Sequence, residues 1–270
     1  MLSSSPSVSS APFIPFGPDS QMWRINREIL VLLAGPAAAV LQVAHPVVAR
    51  GVAAHSNFRK DSTGRLARTL DAVYTVAFGT EEEVRRVRRE VARAHAAVRG
   101  EGYNAFDPEA QLWVMATLIL GSTSMFRRFV APLSNAELEA FLDESAAFGA
   151  VFGLDPALLP KSWNAFEKYC YSMLHGKLLG SEAICGEVAR AVICPDAPIF
   201  MRALSPIFRA LALELLPAQL AERLGLGKSR LRRPLWKTLD ILLPPLLDKM
   251  PRALRFAPAY LRALKRVTES

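Results

Sequence analysis

Apolar residues recur along this chain in steps of three and four, the period of a helix with one buried face. The clearest case runs from about Thr80 to Arg99, where Val84, Val87, Val91 and Val98 form a stripe. Arg85, Arg86, Arg88, Arg89 and Arg93 spread over the other faces, and His95 falls on the valine side. Thr80 followed by Glu83 has the form of a capping box, and three glutamates in the first turn suit the positive end of the helix dipole. Gly100 is the expected left-handed stop.

Further helices are predicted over Gly64–Phe78, Glu109–Val130, Leu158–Gly176, Ser181–Ala191 and Ala197–Leu224. Another opens at Ser134, with Glu137 completing a second capping box. Pro108, Pro132, Pro156 and Pro160 mark joints. Beyond Pro234, the prolines at 244, 245, 251 and 258 are expected to cut the chain into short amphipathic pieces. Alternating β-branched runs and Asn-Gly or Asp-Gly turns are lacking. The expectation is an all-α protein with a single helical domain.

Ile29–Ala49 is apolar and long enough to be tested as a membrane span. It holds Gly35-Pro36, Gln42 and His45-Pro46, which fit a kinked helix buried in protein better than one in lipid. Hydrophobic residues make up 51% of the 270, enough for a sizeable core, and three cysteines are too few for a disulfide framework. These features predict a cytoplasmic protein with reduced thiols. Residues 1–20 read as a disordered tail without a basic, apolar leader, 21–225 as the helical domain, and 226–270 as a basic amphipathic extension.

The net charge of +8 is concentrated late. Twelve Lys and Arg lie between Arg223 and Arg266 against Asp240 and Asp248. Such a stretch suits peripheral contact with an anionic membrane, or is simply a solvated face. No nucleic-acid recognition motif accompanies it.

Four histidines, His45, His55, His95 and His175, bound the metal chemistry. None belongs to His-Glu-x-x-His, and none has Glu three residues earlier, so neither a zincin nor a carboxylate-bridged di-iron bundle is indicated. Cys-x-x-Cys is absent. Gly227-Lys228-Ser229 lacks the earlier glycine of a phosphate loop, and no Gly-x-Ser-x-Gly elbow occurs. On pattern alone His95 is either a satisfied core histidine or a ligand.

Several separate motifs change those odds. Trp23-Arg24-Ile25-Asn26-Arg27-Glu28, Gly35-Pro36-Ala37-Ala38, Leu41-Gln42-Val43-Ala44-His45-Pro46 and His55-Ser56-Asn57-Phe58-Arg59 occur in order. Arg65-Leu66-Ala67-Arg68-Thr69, His95-Ala96-Ala97-Val98-Arg99-Gly100 and Tyr103-Asn104-Ala105-Phe106-Asp107-Pro108 follow. From about Trp23 to Tyr171 the chain resembles the family that includes the mycophenolic-acid pathway oxygenase and the latex-clearing rubber oxygenases.

That resemblance implies a helical bundle binding non-covalent haem b, whose iron takes His95 as proximal ligand. It implies an oxygenase or peroxygenase that uses dioxygen or peroxide on an apolar, isoprenoid-like or lipid-like substrate. Arg65 and Thr69, four apart on one helix face, match distal positions, where a guanidinium pairs with a propionate or polarises bound dioxygen. Arg99 is assigned to a propionate or else is a C-terminal helix charge. Arg68 stands where rubber-cleaving members have lysine, and Met115 where many members have histidine. No catalytic base is evident; Asp61 and His55 are the candidates, and His55 or His45 would supply a second nitrogen ligand if one exists. The alternatives are a non-catalytic haem carrier and a helical lipid-binding protein.

Overall fold

The computed structural model describes residues 16–55, 62–193 and 203–269, with the side chains at positions 62, 63, 65 and 66 left aside. It is mostly helical, and among the described residues one two-stranded ribbon interrupts the helices. The chain opens with α1 (Gln21–Asn26), a 3-10 helix (Ile29–Ala34), α2 (Gly35–Val43) and α3 (Pro46–His55). The hairpin α4 (Ser62–Phe78) and α5 (Glu81–Ala97) follows, then β1 (Arg99–Gly100) and β2 (Tyr103–Asn104). The central stretch holds α6 (Pro108–Phe129), α7 (Asn135–Val151), α8 (Trp163–His175) and α9 (Ala183–Ile193). After it come α10 (Ser205–Ala212), α11 (Ala218–Arg223), α12 (Arg232–Leu247), α13 (Arg252–Arg255) and α14 (Pro258–Thr268).

The apolar Ile29–Ala49 stretch is the broken rod that its prolines demand, largely buried from Ala37 onward, while Ile29 and Leu32 are exposed. The 3-10 helix and α2 meet α3 at a bend of 97°, and among the described residues no single helix is long and apolar enough to cross a membrane. Ala37, Val40 and Leu41 are fully buried, and α2 packs against α6, α9 and α10. Small residues permit this closeness: a Cβ on Gly121 of α6 would sit 2.9 Å from the Ala34 Cβ. Trp113 of α6 is also fully buried and donates its Nε1–H to the Leu41 carbonyl at 2.7 Å. Replacing it with alanine is expected to destabilise the fold by about 3–5 kcal/mol.

Both capping boxes form as expected, at Thr80 with Glu83 and at Ser134 with Glu137. Four expectations need correction. Helix α5 ends at Ala97, and Gly100 pairs in the ribbon; the left-handed glycine is Gly102 (φ 73°), in the turn between β1 and β2. The stretch predicted as one helix over Leu158–Gly176 splits, because Ser162 caps a new start by accepting from Ala165 N at 3.2 Å. Pro244 and Pro245 do not cut the chain but lie inside α12, held there by packing on either side of them. The predicted Ala197–Leu224 helix lies partly outside the described residues, and Pro217 divides the rest into α10 and α11.

Residues past 226 take part in the core. Trp236 and Leu247 join Met125, Phe129 and Leu211 in a second apolar cluster, while Phe256, Tyr260 and Ala263 belong to the main one. Trp23, Phe78 and Tyr260 meet edge to face at 5.6 to 5.7 Å, joining α1, α4 and α14. Glu28, wholly buried, accepts two hydrogen bonds from Arg255 at 2.9 and 3.0 Å.

Candidate functional site

Helices α4 and α5 are joined only by Gly79 and Thr80 and pack against each other. So short a connection makes them antiparallel neighbours. The first turns of α4, carrying Arg65, Arg68 and Thr69, therefore lie at the same end of the hairpin as the last turn of α5, carrying His95. Arg68 and Thr69 are exposed side chains on α4, and the Arg65 side chain lies outside the described residues, as does Asp61.

His95 is half-buried at the margin of the valine stripe. At about 100° per residue it stands roughly 20° from Val84 and 80° from Val87, and burial falls along the helix, from the buried Val84 and Val87 to the half-buried Val91 and His95. Its ring meets Phe106 edge to face at 5.9 Å. Burial holds its pKa below the ordinary histidine value, partly offset by the backbone of Phe152. The ring is thus a neutral imidazole near neutral pH, the form that binds metals. Its Nδ1 is buried with no hydrogen-bond partner. An orphaned nitrogen of this kind is destabilising by about 1–3 kcal/mol unless a ligand or water meets it.

The ribbon after α5 fixes the end of the hairpin. Val98 lies against Gly51 of α3, where an added Cβ would come within 3.2 Å of its Cγ1. Arg50 donates to the Gly102 carbonyl at 2.6 Å and pairs through its Nε and Nη2 with Glu182. Tyr103 Oη lies 2.8 Å from His55 Nε2, so His55 is engaged with the ribbon. Arg99, the first residue of β1, is exposed.

A second group of polar atoms joins His45, already a candidate ligand in the sequence, to two residues that the sequence did not single out. His45, between α2 and α3, is 2% exposed, and neither ring nitrogen has a partner. Burial depresses its pKa, with Glu109 and Asp107 pulling the other way. The Tyr169 hydroxyl and Gln111 Nε2 are likewise buried without partners, and burial drives the Tyr169 pKa upward. These atoms gather around the first turns of α6: Tyr169 packs on Trp113 at 6.3 Å, and a Cβ on Gly153 would lie between Gln111 Nε2 and Phe106. Their common signal is a polar residue on an apolar face, which says nothing until the long-range neighbours are known.

His175 is different. It is exposed, stacks on Tyr171 at 4.2 Å, and its Nδ1 lies 3.0 Å from the Tyr171 carbonyl. Met115 is buried in α6. Among the described residues no three His, Cys, Asp or Glu side chains converge as a metal site would require. The histidines thus stand singly and not as a cluster of ligands. At the loop end of the same hairpin, Tyr74, Thr75, Phe78 and Arg262 line a cleft of about 230 Å³. That is below the ~300–1,000 Å³ of pockets that enclose drug-sized ligands, and it is remote from His95 along the helix.

Comparison with known proteins matches residues 23–244 to the catalytic-domain family described as ER-bound oxygenase mpaB/B'/rubber oxygenase. The match runs well past Tyr171, where the recognisable motifs end. Two curated relatives, both named as uncharacterized proteins, come from Mycobacterium bovis and Mycobacterium tuberculosis. Each is 30% identical over 153 residues, covering 55% of this chain and 58% of the relative. The chain thus spans just over half the length of the curated relatives it matches. No solved structure gives a significant match. With the family model spanning most of the helical core and both arms of the α4–α5 hairpin, the chain belongs to the mpaB/rubber oxygenase catalytic-domain family.

Proposed function

We propose that this protein is a haem b-dependent oxygenase acting on an apolar, isoprenoid-like or lipid-like molecule, with His95 as the axial ligand. The observation that carries the reading is the His95 ring: neutral through burial, with one buried nitrogen lacking any partner. Those are the properties of an imidazole prepared for iron, and family membership gives the position its meaning. The residues fit haem also in what surrounds them, since Phe106 offers an aromatic edge beside the ring.

Bound haem would supply the activation of dioxygen or peroxide toward a carbon–carbon double bond. The chain's own contribution is to hold and orient. Helix α5 presents His95, and the ribbon anchored by Arg50 keeps the end of that helix in place. Arg68 and Thr69 supply a positive, hydrogen-bonding pair of side chains at the same end of the hairpin, suited to a propionate or a polar oxygen, and Arg65 is assigned to the same role by its position in the sequence. Arg99 contributes a further cation there.

His95→Ala should abolish haem retention, measured as pyridine haemochrome, whereas His175→Ala should retain the wild-type content. Equal haem in wild type and His95→Ala removes the assignment. Alkene oxidation well above the rate of free haem separates an oxygenase from a carrier. Arg68 sharpens the reading, because a guanidinium stays protonated and has no lone pair to give a metal. The ferric protein should be high-spin, and Arg68→Lys should introduce a low-spin form that grows with pH as the amine deprotonates. A wild-type spectrum with two nitrogen ligands contradicts this and directs attention to His55 or His45.

A further inference from the structure

Helix α12 is apolar on two opposite sides. Its inner side is firmly docked: Trp236 and Leu247 are each 3% exposed, and Trp236 stacks on Phe129 at 6.1 Å. The Arg128 guanidinium lies over Trp236 at 4.3 Å and bonds to both Asp240 and Glu214. On the outer side Ile241, Leu242 and Leu246 are 50–60% exposed, and Leu231, at the helix start, is 44% exposed. Leu231, Pro234, Thr238, Ile241 and Pro245 follow at steps of three and four, so they share this face. Leu254 of α13, 65% exposed, continues the apolar surface beyond the helix.

Cations border this apolar stripe. Lys228, Arg230, Arg233, Lys237 and Lys249 are exposed and form no ion pair among the described residues, although Ser229 between the first two is half-buried. Of the nearby acids, Asp240 is taken up by Arg128 and Glu214 by Arg128 and Arg232, while Asp248, exposed beside Lys249, is in no ion pair among the described residues. An exposed apolar stripe flanked by unneutralised cations is the signature of a helix that lies in a membrane interface.

We propose that α12 and α13 form a docking face for an anionic lipid surface. Ile241, Leu242 and Leu246 enter the boundary between headgroups and acyl chains, and Arg230, Arg233, Lys237 and Lys249 engage the headgroups. Charge decides between this occupant and the others. A second copy of the chain, meeting across a two-fold axis, would set these cations against their own equivalents. Nucleic acid would find an apolar stripe where phosphates need donors.

Cosedimentation of the full chain with vesicles tests the proposal. Binding is expected with phosphatidylglycerol in phosphatidylcholine, is absent with phosphatidylcholine alone, and falls as salt rises. Ile241→Asp combined with Leu242→Asp, both at exposed positions, should reduce partitioning by more than about tenfold while leaving thermal stability unchanged. Arg233→Gln and Lys237→Gln should each reduce it by about fivefold. The proposal is overturned by no binding at low salt, by equal binding to neutral vesicles, or by insensitivity to the aspartate pair. A solution dimer abolished by that pair would assign the face to a second copy instead.

Discussion

The first and last turns of α5 are stabilised very differently. At the start, Thr80 and Glu83 exchange backbone and side-chain hydrogen bonds, the latter at 2.7 and 3.3 Å to backbone nitrogens. Arg85 reaches Glu81 at 2.6 Å, an exposed pair that adds little, while Val84 and Val87 are buried at 1% and 4% exposure. At the end, Ala94, Ala96 and Ala97 face outward, the cap residue Val98 offers no side-chain hydrogen bond, and His95 keeps a buried nitrogen without a partner. One helix thus combines an end whose local interactions all agree with an end that leaves a polar atom unsatisfied. Consistency of the first kind specifies a fold, and departures from it gather where ligands bind.

Substitutions along α5 can break that contrast. The largest effect is functional: His95→Leu should eliminate haem retention while changing the stability of the haem-free protein little, because it removes the orphaned nitrogen together with the ring's hydrogen bond to the Phe152 backbone. A clear loss of haem-free stability on His95→Leu, read by thermal denaturation, would show that the ring is satisfied and structural. Val84→Ala should have the opposite profile, destabilising by about 2 kcal/mol with haem affinity little changed. Thr80→Ala removes the cap and should destabilise by about 1 kcal/mol. Ala96→Ser, near the ligand end and exposed, should fall within about 0.5 kcal/mol of wild type.

Acid should reveal His45. Its folded pKa lies below the unfolded value of 6.5 because burial disfavours the charged ring. The unfolded chain therefore binds more protons in the interval between the two values, and stability falls as pH drops below about 6.5. Denaturation at a series of pH values should show a plateau above that point and a decline beneath it. His45→Gln should flatten part of the decline, and an unchanged slope would mean that the ring is solvated.

What could be read in the sequence was mostly local. The two capping boxes are spelled by residues three apart, and the valine period gives α5 its face. Pro244 and Pro245 mislead because their local penalty is outweighed by tertiary contacts of Trp236 and Leu247, which no window on the sequence contains. Gly100 misleads for a similar reason: the helix ends earlier because the chain turns into the ribbon, with Gly102 at its turn. Of the site, His95 was legible through its helix face and the surrounding motifs. Phe106 and Phe152 were not, since they reach it from the loop before α6 and the end of α7. The unpartnered His45, Gln111 and Tyr169 needed the fold to become conspicuous.

The pairing of Glu28 with Arg255 has a consequence for how the protein is made. The two residues are 227 positions apart, and Glu28 has no exposure to solvent in the finished fold. A charged carboxylate enters such a place with compensating cations, because an uncompensated buried charge is destabilising by about 3–5 kcal/mol. At a synthesis rate of ~5–20 residues per second, about 10–45 s separate the emergence of Glu28 from that of Arg255. Until then Arg27, 3.5 Å from Glu28 in the finished fold, is the cation at hand. The two-bond partner that lets Glu28 be sealed from solvent arrives only when the chain is nearly complete.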